Sequence, residues 1–421
     1  MTRPHRATKG MSSMSALANV IPYDRAERDR RWARVRTGMA ERGIDLLIAL
    51  PENVVSMDAI DARYLAEEVG AVLFPLEGDP RILVGGEDSH LAMGREAWIE
   101  QRTSATPTGS TRVPYGAAVA AALRTITPRP RRIAIAGLDG DRYGHVRSVE
   151  GYATYTTVAR IQGAVPDAEV VNGAPVMSAA RYVKSEAEIA AARAAVRACE
   201  EAAVAIGEAF HIGKAQAEVY RAGYTALLQQ GIRGPFAGMP MLAWAPGRWR
   251  EPRPRIAGVP PGVIENGLCV ATEVITVVNG IFAQVAEPYV AGPVDAEQRE
   301  AFELNIAAFD AACRAMRPGV PWREVRERTL AVADGTDWKI TFLVTGGVDG
   351  PLFIPVDGHD EWLDDEVEAG ATLVCKPHAF PADQHTELAR STDLTWGESV
   401  VVREGGAERL GSRPPLLFSR T

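Results

Sequence analysis

Arg181-Tyr-Val-Lys-Ser-Glu-Ala-Glu-Ile189 divides the chain into two unlike halves. Ser185 and Glu188 stand three residues apart ahead of an Ala-rich stretch. That is the capping-box pattern, in which the Ser hydroxyl accepts from the Glu amide and the Glu carboxylate reaches back to the Ser amide. A helix is expected from Ser185 to about Phe210, and with it the opening of a second domain. The expected division is residues 1–20 as a mobile leader, 21–180 as a first domain and 181–421 as a second.

Working outward toward the N-terminus, Trp32, Val35, Met39 and Ile44 recur among Arg and Glu, which predicts an amphipathic helix from Asp24 to Gly43. It leads into a strand at Asp45-Leu-Leu-Ile-Ala-Leu50. Ala71-Val-Leu-Phe-Pro75, Arg81-Ile-Leu-Val84 and Arg132-Ile-Ala-Ile-Ala136 are short apolar runs bounded by Gly, Pro or charge, and predict further strands of a small α/β domain. Toward the C-terminus the expected elements are a helix from Gln216 to Gly231, strands at Cys269–Val278 and Phe282–Val290, and a helix from Ala296 to Arg317. Further strands are expected near Leu343, Leu373 and Val400. The fold class is α/β (α+β), without a 20–50 residue internal repeat.

The bulk properties exclude several functions. The 421 residues are 46% hydrophobic and 24% charged, the balance of a globular protein. A net charge of -8 opposes a nucleic-acid partner, because phosphate binding needs clustered Lys and Arg. No stretch reaches the roughly 18 apolar residues of a membrane span and no signal pattern opens the chain, so a cytoplasmic location is expected. Cys199, Cys269, Cys313 and Cys375 are scattered without CxxC spacing and read as reduced, buried thiols.

The linker-and-helix run resembles the opening of the catalytic domain in the pita-bread superfamily of creatinase, prolidase and aminopeptidase P. Gly267-Leu-Cys-Val-Ala-Thr-Glu273, Asn279-Gly280, Gly292 and Trp396-Gly-Glu-Ser-Val-Val-Val-Arg-Glu-Gly-Gly-Ala-Glu-Arg-Leu-Gly411 follow in the family's order. The resemblance implies a creatinase-like N-terminal α/β domain followed by a pita-bread domain. It also implies, for metal-binding members, two Asp eleven residues apart, a His in a Gly-rich stretch and two later Glu, together holding two divalent ions.

At those positions the chain differs. Glu273 stands at the first Asp and Gln284, eleven residues on, at the second. The His falls at Phe342 or Gly347, according to how Thr345-Gly-Gly-Val-Asp-Gly-Pro351 is aligned. Lys376 replaces the first late Glu, in Val374-Cys-Lys-Pro377, and the second is read as Glu398. Glu273, Lys376 and Glu398 then carry one net negative charge where four carboxylates are usual, too few hard donors for two dications. The expectation is a chain without metal or other cofactor.

Creatinase, a metal-free relative, is implied to use a His and two Glu for C–N hydrolysis, a set this chain does not keep. Glu273, Glu287, Lys376, His378 and Glu398 are the candidate catalytic residues, with Gln284 and Asp349 facing the substrate, all expected to converge on the former metal cavity. Lys376 is expected to supply the lost positive charge to a substrate carboxylate or developing oxyanion while a neighbouring Glu acts as base. The alternative is a buried ion cluster without chemistry. His378 follows on the strand carrying Lys376, and alternation places it on the same face; it reads equally as a wall residue. His359 and His385 read as loop residues.

Arg248-Trp-Arg-Glu-Pro-Arg-Pro-Arg255 occupies the stretch where relatives carry a substrate-facing His. Arg248, Arg250 and Trp249 could grip an anionic or aromatic ligand, or form a solvated loop or dimer contact. In relatives the N-terminal domain of one subunit reaches the partner's site, which implies a homodimer and makes Arg63 and Tyr64 candidate contributors. The leading function is a metal-independent hydrolase or lyase acting on a C–N bond of a small amino-acid-derived or amidino compound. The alternatives are an Xaa-Pro metallo-aminopeptidase and a non-catalytic pita-bread binding protein.

Overall fold

The computed structural model describes residues 23–51, 60–85, 97–106, 113–140, 151–230, 241–249, 256, 258–346, 363–383 and 394–420. The expected leader, Asp349, Arg250, Arg253, Arg255, Gly347, His359 and His385 lie outside them.

In the first half, helix α1 (Arg25–Glu41) begins where Asp24 accepts a hydrogen bond from the Glu27 amide, and buries Trp32, Val35 and Met39. Strand β1 (Leu46–Ala49), helix α2 (Ile60–Ala66) and strands β2 (Ala71–Pro75), β3 (Arg81–Val84) and β4 (Gln101–Ser104) follow. Helix α3 (Tyr115–Leu123), β5 (Arg132–Ile135), helix α4 (Tyr155–Ala164), β6 (Glu169–Asn172) and helix α5 (Ala174–Tyr182) complete the half. The strands form one sheet in the order β4-β3-β2-β1-β5-β6. Strands β4 and β6 were not expected: β4 is polar and largely exposed, and β6 is half-buried with only two valines, so neither has the longer apolar run that marks the buried centre.

Helix α6 (Glu186–Ala209) opens on the expected capping box, with the Ser185 hydroxyl and the Glu188 carboxylate satisfying each other's amides. Helix α7 (Gln216–Gln229) is followed by β7 (Met241–Arg248), β8 (Leu268–Val278) and β9 (Ile281–Ala291). Next come helices α8 (Ala296–Ala315) and α9 (Trp322–Leu330), strands β10 (Trp338–Thr341), β11 (Val344–Thr345), β12 (Thr372–Cys375), β13 (His378–Pro381), β14 (Gly397–Arg403), β15 (Gly406–Arg409) and β16 (Phe418–Arg420). The large sheet has the order β11-β12-β14-β9-β8-β7, with β15 on β14 and β16 on β9, and β10 pairs with β13 apart from it. Strand β7 was also unexpected; it is an edge strand, which is why Pro246 is tolerated in it.

The β8–β9 turn fixes everything that follows. Asn279 and Gly280 both adopt positive φ, 49° and 78°, the conformation a two-residue hairpin needs to match the twist of its strands. Val278 therefore pairs with Ile281, and counting back pairs Glu273 with Ala286. One face of this hairpin is covered by α6: Thr276 Oγ1 donates to the Ala195 carbonyl and the Tyr289 hydroxyl to that of Ala203. The other face is open and carries the cleft.

Candidate functional site

On the open face, one transverse row of residues runs from β7 across β8, β9 and β14. Ala243 pairs with Glu273, Glu273 with Ala286, and Ala286 with Gly397. Cys375 pairs with Glu398, so Lys376, the next residue, stands beside Gly397 at the end of the row. Its side chain passes over Gly397 and Ala286 to place Nζ 2.5 Å from Glu273 Oε1. The two side chains retain only 8% and 14% exposure. The span is open because the intervening residues are Gly and Ala. A Cβ at position 397 would come within 2.5 Å of Lys376 Cβ and closer still to the Cys375 carbonyl oxygen.

Around this pair lies a small cleft walled by Ala243, Ala245, Ala271, Ala286, Leu343 and Thr395, with His378 beside Lys376. The expected strand through Lys376 and His378 is interrupted: Lys376 follows the end of β12, its amide donating to the Leu343 carbonyl, and His378 starts β13 in the separate ribbon. Both side chains nevertheless line the cleft.

Gln284 occupies the next row along β9, opposite Ile275, on the same face as Glu273. It is 4% exposed, and its Nε2 has no hydrogen-bond partner among the described residues.

Glu287 and Glu398 do not converge with these residues, contrary to the expectation from sequence. Glu287 pairs with Thr272 and Glu398 with Val285, positions one residue out of step with the open-face row, and side chains alternate along a strand. Both are 0% exposed on the helix-covered side. There Arg413 pairs with Glu287 and Arg409 with Glu398. Both guanidinium groups lie over the Trp396 ring, Arg409 at 4.9 Å and Arg413 at 5.0 Å from its centroid. Glu200 of α6 accepts from the amides of Ser412 and Arg413, each at 2.7 Å. Burial raises the Glu398 carboxyl above the usual carboxylate range, and the Arg409 hydrogen bond acts against that rise. This second cluster ties α6 to the sheet and the C-terminal segment.

The row also moves the last ligand position. Glu398 was read as the second late Glu, but the residue facing the cleft is Gly397. Of the candidate ligand positions among the described residues, Glu273 offers a carboxylate, Gln284 an amide, Lys376 an ammonium group and Phe342 a buried phenyl ring, while Gly397 offers no side chain.

Arg248 and Trp249 stand apart from the cleft lining. Arg248 ends β7 and faces Glu265 at 3.6 Å on the surface, and Trp249 Nε1 donates to Glu297 Oε2 at 2.8 Å. Tyr64 is buried: its hydroxyl donates to the Ala180 carbonyl and Arg31 covers its ring. Arg63 lines a separate seam cavity with Arg31, Lys184 and Glu188.

The model of metallopeptidase family M24 matches residues 190–387. The structure resembles the X-Pro aminopeptidase of Thermotoga maritima, with a TM-score of 0.66 at 15% identity over 90% of this chain and 99% of that one. It likewise resembles the Xaa-Pro dipeptidase of Bacillus anthracis, at 0.67 and 15% over 93% and 99%, and a His354Ala form of Escherichia coli aminopeptidase P, at 0.65 and 14% over 93% and 95%. This chain has the pita-bread fold. No curated protein matches its sequence.

The dinuclear metal centre that the resemblance implies does not fit the described side chains. Hard dications gather carboxylate and carbonyl oxygens, and an ammonium group already occupies the one carboxylate of the row. Among the described residues no three His, Cys, Asp or Glu side chains form a group that could hold a metal ion. Among the same residues no helix is long and apolar enough to cross a membrane.

Proposed function

We propose that the chain is a metal-independent hydrolase or lyase that cleaves a C–N bond in a small amino-acid-derived or amidino compound. The observation that carries this reading is the Lys376–Glu273 pair, held in a cleft at the locus where relatives bind metal. The M24 match supports a peptidase-like hydrolase, and the donor set argues for a metal-free version of it.

The residues divide the work as follows. Lys376 supplies positive charge toward a substrate oxygen, the role a metal has elsewhere, in a cleft where partial burial strengthens it. Glu273, beside it, accepts a proton from the attacking water, and His378 donates one to the departing nitrogen. The alanine wall leaves room for a compact substrate, not a long side chain. Glu287 and Glu398 serve by holding the sheet against α6. A boundary near residue 181, a homodimer and a cytoplasmic location belong to the same proposal.

The test is a turnover screen in excess EDTA against carbamoyl, amidino and acyl amino acids and Xaa-Pro dipeptides. Turnover that survives chelation and is lost in Lys376→Met and Glu273→Gln supports the reading. Activity on Xaa-Pro dipeptides only after adding manganese overturns it in favour of a metallo-aminopeptidase. Ligand binding without turnover, unaffected by Lys376→Met, overturns it in favour of a binding protein.

A further inference from the structure

His378 does not stand on the large sheet that carries Glu273. It opens β13, which pairs with β10 in the separate ribbon, Thr341 opposite His378 and Ile340 opposite Ala379. The ribbon joins the sheet through two short links, residues 342–343 between β10 and β11 and residues 376–377 between β12 and β13. The place of the imidazole relative to the Lys376–Glu273 pair therefore depends on how the ribbon is held.

Asn305, at 1% exposure near the middle of α8, supplies a tie. Its Oδ1 accepts from the amide of Ala379, the residue after His378, and its Nδ2 donates to the Leu394 carbonyl at 2.8 Å. Leu394 leads through Thr395, which lines the cleft, and Trp396 into Gly397 of β14, against which the Lys376 stem lies. Ala301 and Ala308 share the helix face of Asn305 and pack in one core cluster with Ala379. Such small residues let the ribbon come close enough for a short side chain to reach both backbone groups. A primary amide presents an acceptor oxygen and a donor nitrogen side by side, whereas ionised aspartate, of the same shape, has no donor.

We infer that Asn305 is a positioning residue: by joining the His378 ribbon to the segment that enters β14, it sets where the imidazole stands relative to Lys376 and Glu273. It acts through the backbone on two sides of the cleft wall, not on the substrate. This deepens the reading of the cleft given above and rests on His378 serving there as the proton donor.

The experiment follows the imidazole and the kinetics separately. The full chain, labelled with carbon-13 at histidine Cε1, gives signals from seven histidines, and His378→Gln identifies the one of interest. Asn305→Asp keeps the acceptor for Ala379 and loses the donor to Leu394, and Asn305→Leu loses both. Asn305→Gln keeps both groups on a chain one methylene longer, and serves if the other two melt early. Each folded variant should shift the His378 signal. Because a misplacement of about 1 Å can cost on the order of a hundredfold in rate, each should also lower kcat by about tenfold or more. KM for whichever substrate is turned over in EDTA should stay within about twofold. A lower melting temperature with an unmoved His378 signal and the parent's kcat overturns the inference, since Asn305 would then only hold the fold. A moved signal in a protein that turns over nothing upholds it while the hydrolase reading fails. Turnover that needs Lys376 but is indifferent to every Asn305 variant, with the signal unmoved, overturns it while the hydrolase reading stands.

Discussion

Replacing Lys376 by Met removes the cation and preserves most of the aliphatic stem, so the main loss is the partner of Glu273. Taking one member from a buried ion pair costs about 3–5 kcal/mol, because the other charge stays behind without compensation. Glu273 keeps 14% side-chain exposure at the edge of an open cleft, which moves the expected cost to about 2–3 kcal/mol. At roughly 2–4 °C per kcal/mol for a unit of this size, the transition containing the large sheet should fall by about 4–12 °C. Glu273→Gln in the Lys376→Met background removes the stranded charge and should recover about half the loss. The assay is a double-mutant cycle by calorimetry and urea unfolding, with circular dichroism confirming the fold. A Lys376→Met protein within about 0.5 kcal/mol of the parent, with no coupling to position 273, refutes the reasoning, since the pair would then contribute nothing to the cleft.

Two further outcomes are expected. Gly397→Ala should cost about 1–3 kcal/mol and abolish the coupling measured between positions 376 and 273, because the new Cβ meets Lys376 Cβ at 2.5 Å and displaces its path; an unchanged cycle in the Gly397→Ala background contradicts this. Glu398, whose carboxyl is raised above its ordinary value of 4.5 by burial, binds its proton more tightly folded than unfolded, so stability should decline as pH rises from about 4.5 through the raised value; Glu398→Gln should flatten that slope in melts between pH 4 and 7, and an identical slope in the variant contradicts it.

Much of the architecture was legible because it is written in local chemistry. The Ser185–Glu188 box opens α6, Asp24 caps α1, and the Asn279-Gly280 turn closes the β8–β9 hairpin. That turn also held the key to Glu287. Once it pairs Val278 with Ile281, residues of β9 with even numbers share the face of Glu273, and Glu287 falls on the other side. Glu398 was harder to read. It attracts the eye as a surviving carboxylate, but a single-residue step along a strand exchanges its faces, and Gly397 is the residue that looks into the cleft. The Lys376–Glu273 pair, joined across three strand spacings of a curved sheet, could be guessed from charge but located only in three dimensions. The partners of the helix-side cluster, Arg409 and Arg413, gave no signal because they come from the C-terminal segment that folds back on α6.

The measurement that bears most directly on the central claim is the metal content of the full chain. The protein is purified with added manganese, cobalt or zinc, dialysed, and analysed by inductively coupled plasma mass spectrometry alongside calorimetric titration of each ion. The Lys376–Glu273 pair and the missing side chain at Gly397 predict no stoichiometric binding of any of the three. Two ions per chain, retained through dialysis and displacing the lysine from Glu273, would contradict the account.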